Sequence, residues 1–487
     1  MKKSKMTSKM PNFLRVIFFS QLFELIGFYG IQSILVLFLV RNFGYADPTA
    51  YAIFSLFMLF SCFSPIFAGV LADKIFGIRK MILLGGGIAL LGDLVILFFH
   101  QKIEYFLLGV ALMVLGTGYY KVNLTSLLGL CYKKYGGNSV RGFTFAHVGM
   151  NIGGIIGAIL CGYGLQFYGW KIVFSFPILA VIVSMFIFFY NIRLFEEVQI
   201  VNFPKFVNRR IFGVSMFEIF IVLSLFCALG MTYFLLHDKN FKFLLYVLVA
   251  GVLMLFTWFL WRVKDKLAIL CLMFFILCLV IFTVFFNQMI CLLVMLIERN
   301  VHSQIFGLKI PSVAGQSINP IFIVLFGPIL AGFVFRKLEI LKIIFGFAMI
   351  PLSFLILYFG CIFSVNFRIE YIFCIVAIGV QAIGELLILP FVQGYVAILS
   401  PKNMISFMMG FLMFTISFSN VFVIFLNKIT GISDLNSVIS VADSLKIYQN
   451  AFLSLVYISA AILVIFVPFF ILAHKFLRKF VQENEPF

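Results

Sequence analysis

The sequence predicts an all-α integral membrane protein with fourteen transmembrane helices, and three observations do so. Hydrophobic residues make up 63% of the 487 and charged residues 11%, with a mean hydropathy of +1.16. A water-soluble chain of this length cannot hide so much apolar surface. Apolar runs of about 20 residues, the length a helix needs to cross the hydrocarbon core, recur along the whole chain. The basic residues between those runs alternate in density, as the positive-inside rule requires of a multi-pass protein.

The runs fall at 13–40, 50–71, 81–99, 104–128, 143–163, 172–192, 211–236, 241–261, 267–297, 317–335, 341–363, 371–398, 404–427 and 451–473. With the N-terminus inside, its five basic residues are cytoplasmic. The following inside loops carry Lys74, Arg79 and Lys80, then Lys133, Lys134 and Arg141, then Arg193, Lys205, Arg209 and Arg210. Next come Arg262, Lys264 and Lys266, then Arg336, Lys337 and Lys342, then Lys402, and finally Lys475, Arg478 and Lys479. That places 25 basic residues inside against 10 outside, and Lys121, within a span, completes the 36. The even span count returns the C-terminus to the cytoplasm, and no organellar targeting segment is visible, so a plasma membrane is expected, most simply a bacterial inner membrane. The first apolar run is too long for the core of a cleavable signal and carries Glu24.

Composition also narrows the function. The formal charge of +18 lies mostly in short inside loops, where topology and anionic lipid account for it, so nucleic-acid binding is not expected. The nine cysteines show no CxxC or His/Cys spacing and most sit in apolar runs, as at Cys227, Cys271 and Cys278, so neither a metal nor a cofactor site is expected. No Ser/His/Asp arrangement or phosphate loop points to an enzyme.

Polar stretches divide the spans into six, two and six. NIRLFEEVQIVNFPKFVNRR follows the sixth, and WRVKDK precedes the last six. The expected organisation is a six-helix bundle at 1–192, a linker with an inserted two-helix hairpin at 193–266, and a second six-helix bundle at 267–487. Two six-span bundles with a substrate site near the bilayer midplane are the plan of the major facilitator fold.

Within the apolar runs a few polar residues stand out. Lys121 lies mid-segment in LGTGYYKVNLTSLLGLCY beside Asn123 and Thr125, at a cost of roughly 3 kcal/mol, which makes it a functional candidate by default. Glu385 is equally unexpected in the twelfth span, one turn from Gln381. A small zwitterion carries an ammonium and a carboxylate, so a site for one needs a fixed anion and a fixed cation, with polar partners between. Tyr29 and Gln32 lie one turn apart on span one, His147 and Asn151 one turn apart on span five, and Asn287 and Gln288 are adjacent in span nine. Asn151 reads as a substrate ligand or as a bridge between helices. His147 reads as a hydrogen-bond donor or as a group that titrates near neutrality. Glu218 reads as a surface residue of the inserted pair, and Asp93 in GDLVIL has no assignment.

The loop GVLADKIFGIRK, Gly69 to Lys80, resembles the signature loop of major facilitator transporters, with Asp73 and Arg79 placed as a cytoplasmic latch. FELIGFYGIQSILVLFLV resembles the first helix of the proton-dependent oligopeptide transporter family, LGTGYYKVNLTSLLGLCY its fourth, FTFAHVGMNIGGIIG its fifth and YGWKIVFSFPIL its sixth. FFNQM, SINP and GELLILP follow in the expected order. The resemblance implies import of di- and tripeptides with protons by a functional monomer. It assigns Lys121 to the substrate carboxylate, Glu385 with Asn151 to the amine, and Glu24, Lys121 and Glu385 to proton coupling; Glu24 is the expected partner of Lys121. The chain departs from the family at Gln21 and Leu25, where a glutamate and an arginine are usual, so one charge of each sign is missing together. Val122 stands for a proline, Leu389 for a serine and His147 for a tyrosine. Alternatives are a carrier of another small zwitterion, uncoupled from protons, and a peptide sensor without flux.

Overall fold

In hydrocarbon every backbone N–H and C=O must find a partner within the chain, and the helix is the local solution. The computed structural model describes residues 10–198, 210–211, 214–237, 249–257, 261, 266–302, 304–305, 308–309, 315–332, 339–430 and 440–484. The helices are α1 (Asn12–Phe43), α2 (Asp47–Leu71, extended by a π-helical turn Ala72–Phe76), α3 (Ile78–Phe99), α4 (Ile103–Tyr135), α5 (Ser139–Tyr190) and α6 (Met216–Leu236). They continue with α7 (Lys266–Asn300), α8 (Gly315–Gly332), α9 (Glu339–Ile362), α10 (Tyr371–Leu399), α11 (Ile405–Phe418), α12 (Asn420–Ile429) and α13 (Val441–Asn484).

Among the described residues, eleven helices are long and apolar enough to cross a membrane, and two shorter apolar helices, Ile318–Gly332 and Ile405–Phe418, accompany them. Spans five and six of the sequence join in α5, which turns at Gly169, where φ is 74°. The span expected at 404–427 is two helices, α11 and α12, parted at Ser419. The span expected at 241–261 lies largely outside the described residues, of which 249–257 are helical. Large apolar side chains such as Phe186, Phe226, Leu229 and Val464 are exposed, as a lipid-facing surface demands.

By contact the chain forms two compact units, Met1–Lys264 with Gly394–Phe414, and Asp265–Gln393 with Thr415–Phe487. In the first, α1 packs along α5 and α3 along α4. Both seams are lined with glycine. A Cβ on Gly92 would lie 2.5 Å from the Met113 nitrogen, and one on Gly85 2.6 Å from the Tyr120 nitrogen. A Cβ on Gly153 or Gly157 would strike the Leu22 or Ile26 carbonyl of α1. With no hydrophobic drive between helices in lipid, such close backbone approach supplies the packing attraction. Helix α6 lies on α2 and α4, with the Phe220 ring tilted against Phe76 at 4.8 Å between centroids. Its start is a capping box: Ser215 N–H donates to Glu218 Oε2 at 2.6 Å and Glu218 N–H to Ser215 Oγ at 3.2 Å. Glu218 is thereby a cap.

The last turns of α10 and the first of α11 belong to the first unit because two charged side chains clasp them. Asp73 Oδ1 accepts from Ser406 N–H at 3.2 Å and Oδ2 from Phe407 N–H at 2.8 Å. These are orphan donors at the start of α11, so the carboxylate both satisfies them and meets the positive end of the helix dipole. Lys133 Nζ donates to the carbonyls of Ile398 (2.9 Å) and Ser400 (2.8 Å), where α10 ends. Gly69 abuts the Ser406 backbone and Gly129 the Ala397 methyl, so the clasp closes over close helix contacts.

In the second unit α9 packs on α13, with Phe347 5.4 Å from Phe470, and α7 meets α12 and α13. Gly384 and Gly346 let α10 approach α9: a Cβ on Gly384 would sit 3.0 Å from the Gly346 carbonyl oxygen. Asn300, fully buried, ties three segments. Its amide donates to Phe367 O at 3.2 Å and Val441 O at 2.8 Å, and its oxygen accepts from Ser444 Oγ at 2.7 Å.

Two outcomes follow for purified protein in detergent, read by thermal unfolding. Gly116→Leu, whose Cβ would fall on the Ala89 backbone, lowers stability by about 3 kcal/mol or more, whereas Gly87→Ala, where an added Cβ meets nothing within 4 Å, leaves it unchanged or higher. Asp73→Ala leaves two helix-end donors orphaned and costs about 1–3 kcal/mol, and Asp73→Asn, which keeps one acceptor, costs less.

Candidate functional site

The polar residues singled out in the sequence fall into two groups, one in each unit. In the first, the glycines of LGTGYYK set the geometry. Gly116 backs onto Ala89 and Gly85 of α3, while Gly118 makes room for Ser64 of α2, whose hydroxyl donates to the Leu115 carbonyl at 3.2 Å. With α4 held on those sides, Thr117 and Lys121, four residues apart and hence on one face, are turned toward Glu24 of α1.

Glu24 is only 2% exposed, and neither carboxylate oxygen has a hydrogen-bond partner. The Lys121 ammonium and the Thr117 hydroxyl are the favourable groups within reach of its charge. Glu24 and Lys121 are farther apart than the 4.0 Å of an ion pair, and Lys121, half-buried, makes no hydrogen bond of its own. The Gln21 side chain, one turn earlier, donates to Thr125 Oγ1 at 3.0 Å, and Thr125 donates to the Lys121 carbonyl at 2.9 Å. A neutral amide–hydroxyl bond thus joins α1 to α4 at Gln21, one of the two positions where the resemblance expects a charge. Leu25 is fully buried.

The remaining candidates of this unit spread around α1. The Tyr29 ring lies over Gly154 of α5, where a Cβ would be 3.2 Å from Cδ2. Gln32 instead faces α2, with Nε2 3.6 Å from Met58 Sδ and a buried Oε1 that has no partner. Asn151 donates to the His147 carbonyl at 2.9 Å and lies 3.4 Å from His147 Nε2, so these two are neighbours on α5. Asp73 serves the clasp already described; Arg79 is half-buried and makes no ion pair with it.

In the second unit Glu385, half-buried on α10, accepts from Asn319 Nδ2 of α8 at 3.0 Å. The other amide atom of Asn319, Oδ1, is buried without a partner, and so are both amide atoms of Gln381 one turn before Glu385. A carboxylate flanked by an unused carbonyl oxygen is a suitable acceptor set for an ammonium. Asn287 Nδ2 donates to Ser419 Oγ at 3.1 Å, bracing the break between α11 and α12, and Gln288 is fully buried.

Several of these partners were not singled out from sequence. Asn319 was visible only as part of SINP, Thr125 and Thr117 as neighbours of Lys121, and Lys133 as one more loop cation. Spacing within one helix reveals a shared face; contacts between α8 and α10, or between α4 and the end of α10, have no signature along the chain.

The POT family model matches residues 79–440. The chain is 27% identical over 467 residues to dipeptide and tripeptide permease A of Escherichia coli K12, covering 94% of this chain and 91% of that one. It is 26% identical over 468 residues to the protein of the same name from Yersinia pestis, with the same coverage. Among solved structures, a POT family transporter in complex with a thioalcohol-conjugated peptide superposes with a TM-score of 0.68 at 20% identity, over 94% of this chain and 96% of that one. A bacterial homologue of the human drug peptide transporters gives 0.66 at 21% identity, over 96% and 98%. Those two likenesses are of fold, whereas the family model spans most of the sequence together with its fourth-helix lysine and its GELLILP segment. This multi-pass membrane chain belongs to the POT family of transporters.

Proposed function

We propose that the chain imports di- and tripeptides together with protons. The observation that carries this reading is Lys121, an intramembrane ammonium with no hydrogen bond or ion pair, placed within electrostatic reach of an equally unsatisfied Glu24. Such a cation is costly unless something occupies it. A peptide carboxylate is a fitting occupant, and the relatives named for dipeptides and tripeptides support that choice. Glu385 with Asn319 takes the peptide amine, and Tyr29, Gln32, His147, Asn151, Asn287 and Gln288 supply amide and hydroxyl partners along the substrate.

Coupling uses competition for one cation. While Glu24 is ionised it draws Lys121, and substrate carboxylate must displace it. A proton arriving from outside forms an O–H bond on Glu24 and cancels that competing charge, so Lys121 is free for substrate. Release of substrate inside returns Lys121 to Glu24, and the proton passes to cytoplasmic water. The Asp73–Lys133 clasp biases one access state, with Arg79 adding positive charge at the cytoplasmic surface. Both termini are cytoplasmic in a bacterial inner membrane, the monomer is the working unit, and the ligand crosses chemically unchanged.

The deciding measurement is uptake of labelled dialanine into proteoliposomes. Accumulation rises as the outer pH is lowered and collapses when the proton gradient is dissipated; equilibration indifferent to the gradient overturns coupling, and absence of flux overturns peptide as the cargo. Glu385→Gln reduces uptake by about a hundredfold or more, as expected when the charge-assisted partner of an ammonium is removed, while the extracted protein stays folded. Glu24→Gln lowers gradient-driven accumulation by about tenfold but leaves counterflow within about threefold of wild type, because exchange needs Lys121 and no net proton movement.

A further inference from the structure

Among the described residues three acidic side chains are buried: Glu24, Asp73 and Asp93. Asp73 has its hydrogen bonds at the start of α11. Asp93, 1% exposed on α3, has none on either oxygen, and neither has Glu24. The two lie close enough to act on one another electrostatically. No step of the reading above uses Asp93.

The surroundings of Asp93 are nearly devoid of compensating charge. Helix α1 presents Glu24, and α5 presents the Cys161 thiol, whose sulfur packs against Gly30 of α1. Helix α4 brings Lys121 and Thr117 to Glu24, and Tyr120, whose phenol faces Glu24 and meets Ser184 Oγ at 2.7 Å. Asp73 and Lys74, on the turn that packs against the beginning of α3, are more than about 22 Å down the helix at 1.5 Å per residue. With Glu24, Asp93 and Lys121 all ionised the cluster carries one uncompensated negative charge; one proton makes it neutral. Two ionised carboxylates within electrostatic reach of one another repel in low dielectric, and one proton on either removes that repulsion.

We propose that Asp93, buried with both oxygens unpartnered, is a second proton-carrying carboxylate of the transport cycle beside Glu24. The proposal rests on the proton-coupled import argued above. The proton enters from outside water, forms an O–H bond on one of the two carboxylates, and leaves to cytoplasmic water. When substrate draws Lys121 away, Glu24 loses its counter-ion, and a proton on Asp93 removes the remaining repulsion between the two. Proton residence is thereby tied to the substrate-bound state.

The test uses the full chain in proteoliposomes, with Asp93→Asn, Asp93→Glu and labelled dialanine. Asp93→Asn should keep counterflow within about twofold of wild type, lose about tenfold or more of gradient-driven accumulation, and flatten the pH profile of uptake; Asp93→Glu should restore all three. Infrared difference spectra between high and low pH should show a carboxyl carbonyl band that Asp93→Asn removes. Accumulation by Asp93→Asn equal to wild type overturns the proposal. Equal loss of accumulation and counterflow that Asp93→Glu does not restore also overturns it, in favour of a packing role. Should Asp93→Asn not fold, the infrared band must shift in Asp93→Glu, and an unchanged band is equally fatal. Wild-type protein that exchanges peptide but never accumulates it defeats the parent reading first, before any variant is compared.

Discussion

The dominant constraint on this chain is the low dielectric of the hydrocarbon in which it folds. There an unmet donor, acceptor or charge has no water to turn to, so partners within the protein decide where a polar group can sit. Asn300 spends its whole amide joining the end of α7 to two other segments, and Asp73 gives both oxygens to the start of α11. Ser184 links Tyr120 to the Ser20 carbonyl. Against this background Glu24 and Asp93 stand out among the described residues as buried carboxylates with no hydrogen-bond partner on either oxygen.

Glycine and charge are arranged together. Gly116 and Gly118 flank Thr117 and settle α4 against α3 and α2, which fixes the face that carries Thr117 and Lys121. Gly384 does the same one residue before Glu385, seating α10 on α9. In each unit the ionisable residue is mounted on a helix whose other sides are already committed to backbone-to-backbone contact. Such mounting limits how far the charge can drift when its partner changes, and fixed placement is what a binding charge requires.

The membrane fold was legible because hydropathy and loop charge are properties of the chain itself. Lys121, Glu24 and Glu385 were legible for the same reason: a charge in an apolar run needs no partner to be noticed. The Asn319–Glu385 bond, the Gln21–Thr125 bond and the Lys133 clasp were not, since each joins segments from 66 to 267 residues apart. The break at Ser419 was hidden as well, because an apolar run reads as one span whether or not its helix is interrupted. Glu218 was readable in principle from Ser215-x-x-Glu218, a local pattern overlooked for its place in the inserted pair.

The clasp of Asp73 and Lys133 sets a population as well as a contact. Four hydrogen bonds to charged groups hold the ends of α10 and α11. If about 3 kcal/mol of that survives competition from water, the unclasped form is occupied roughly one part in 150 of the time. The clasp therefore sets a standing free-energy cost on any motion that parts the ends of α10 and α11 from Asp73 and Lys133.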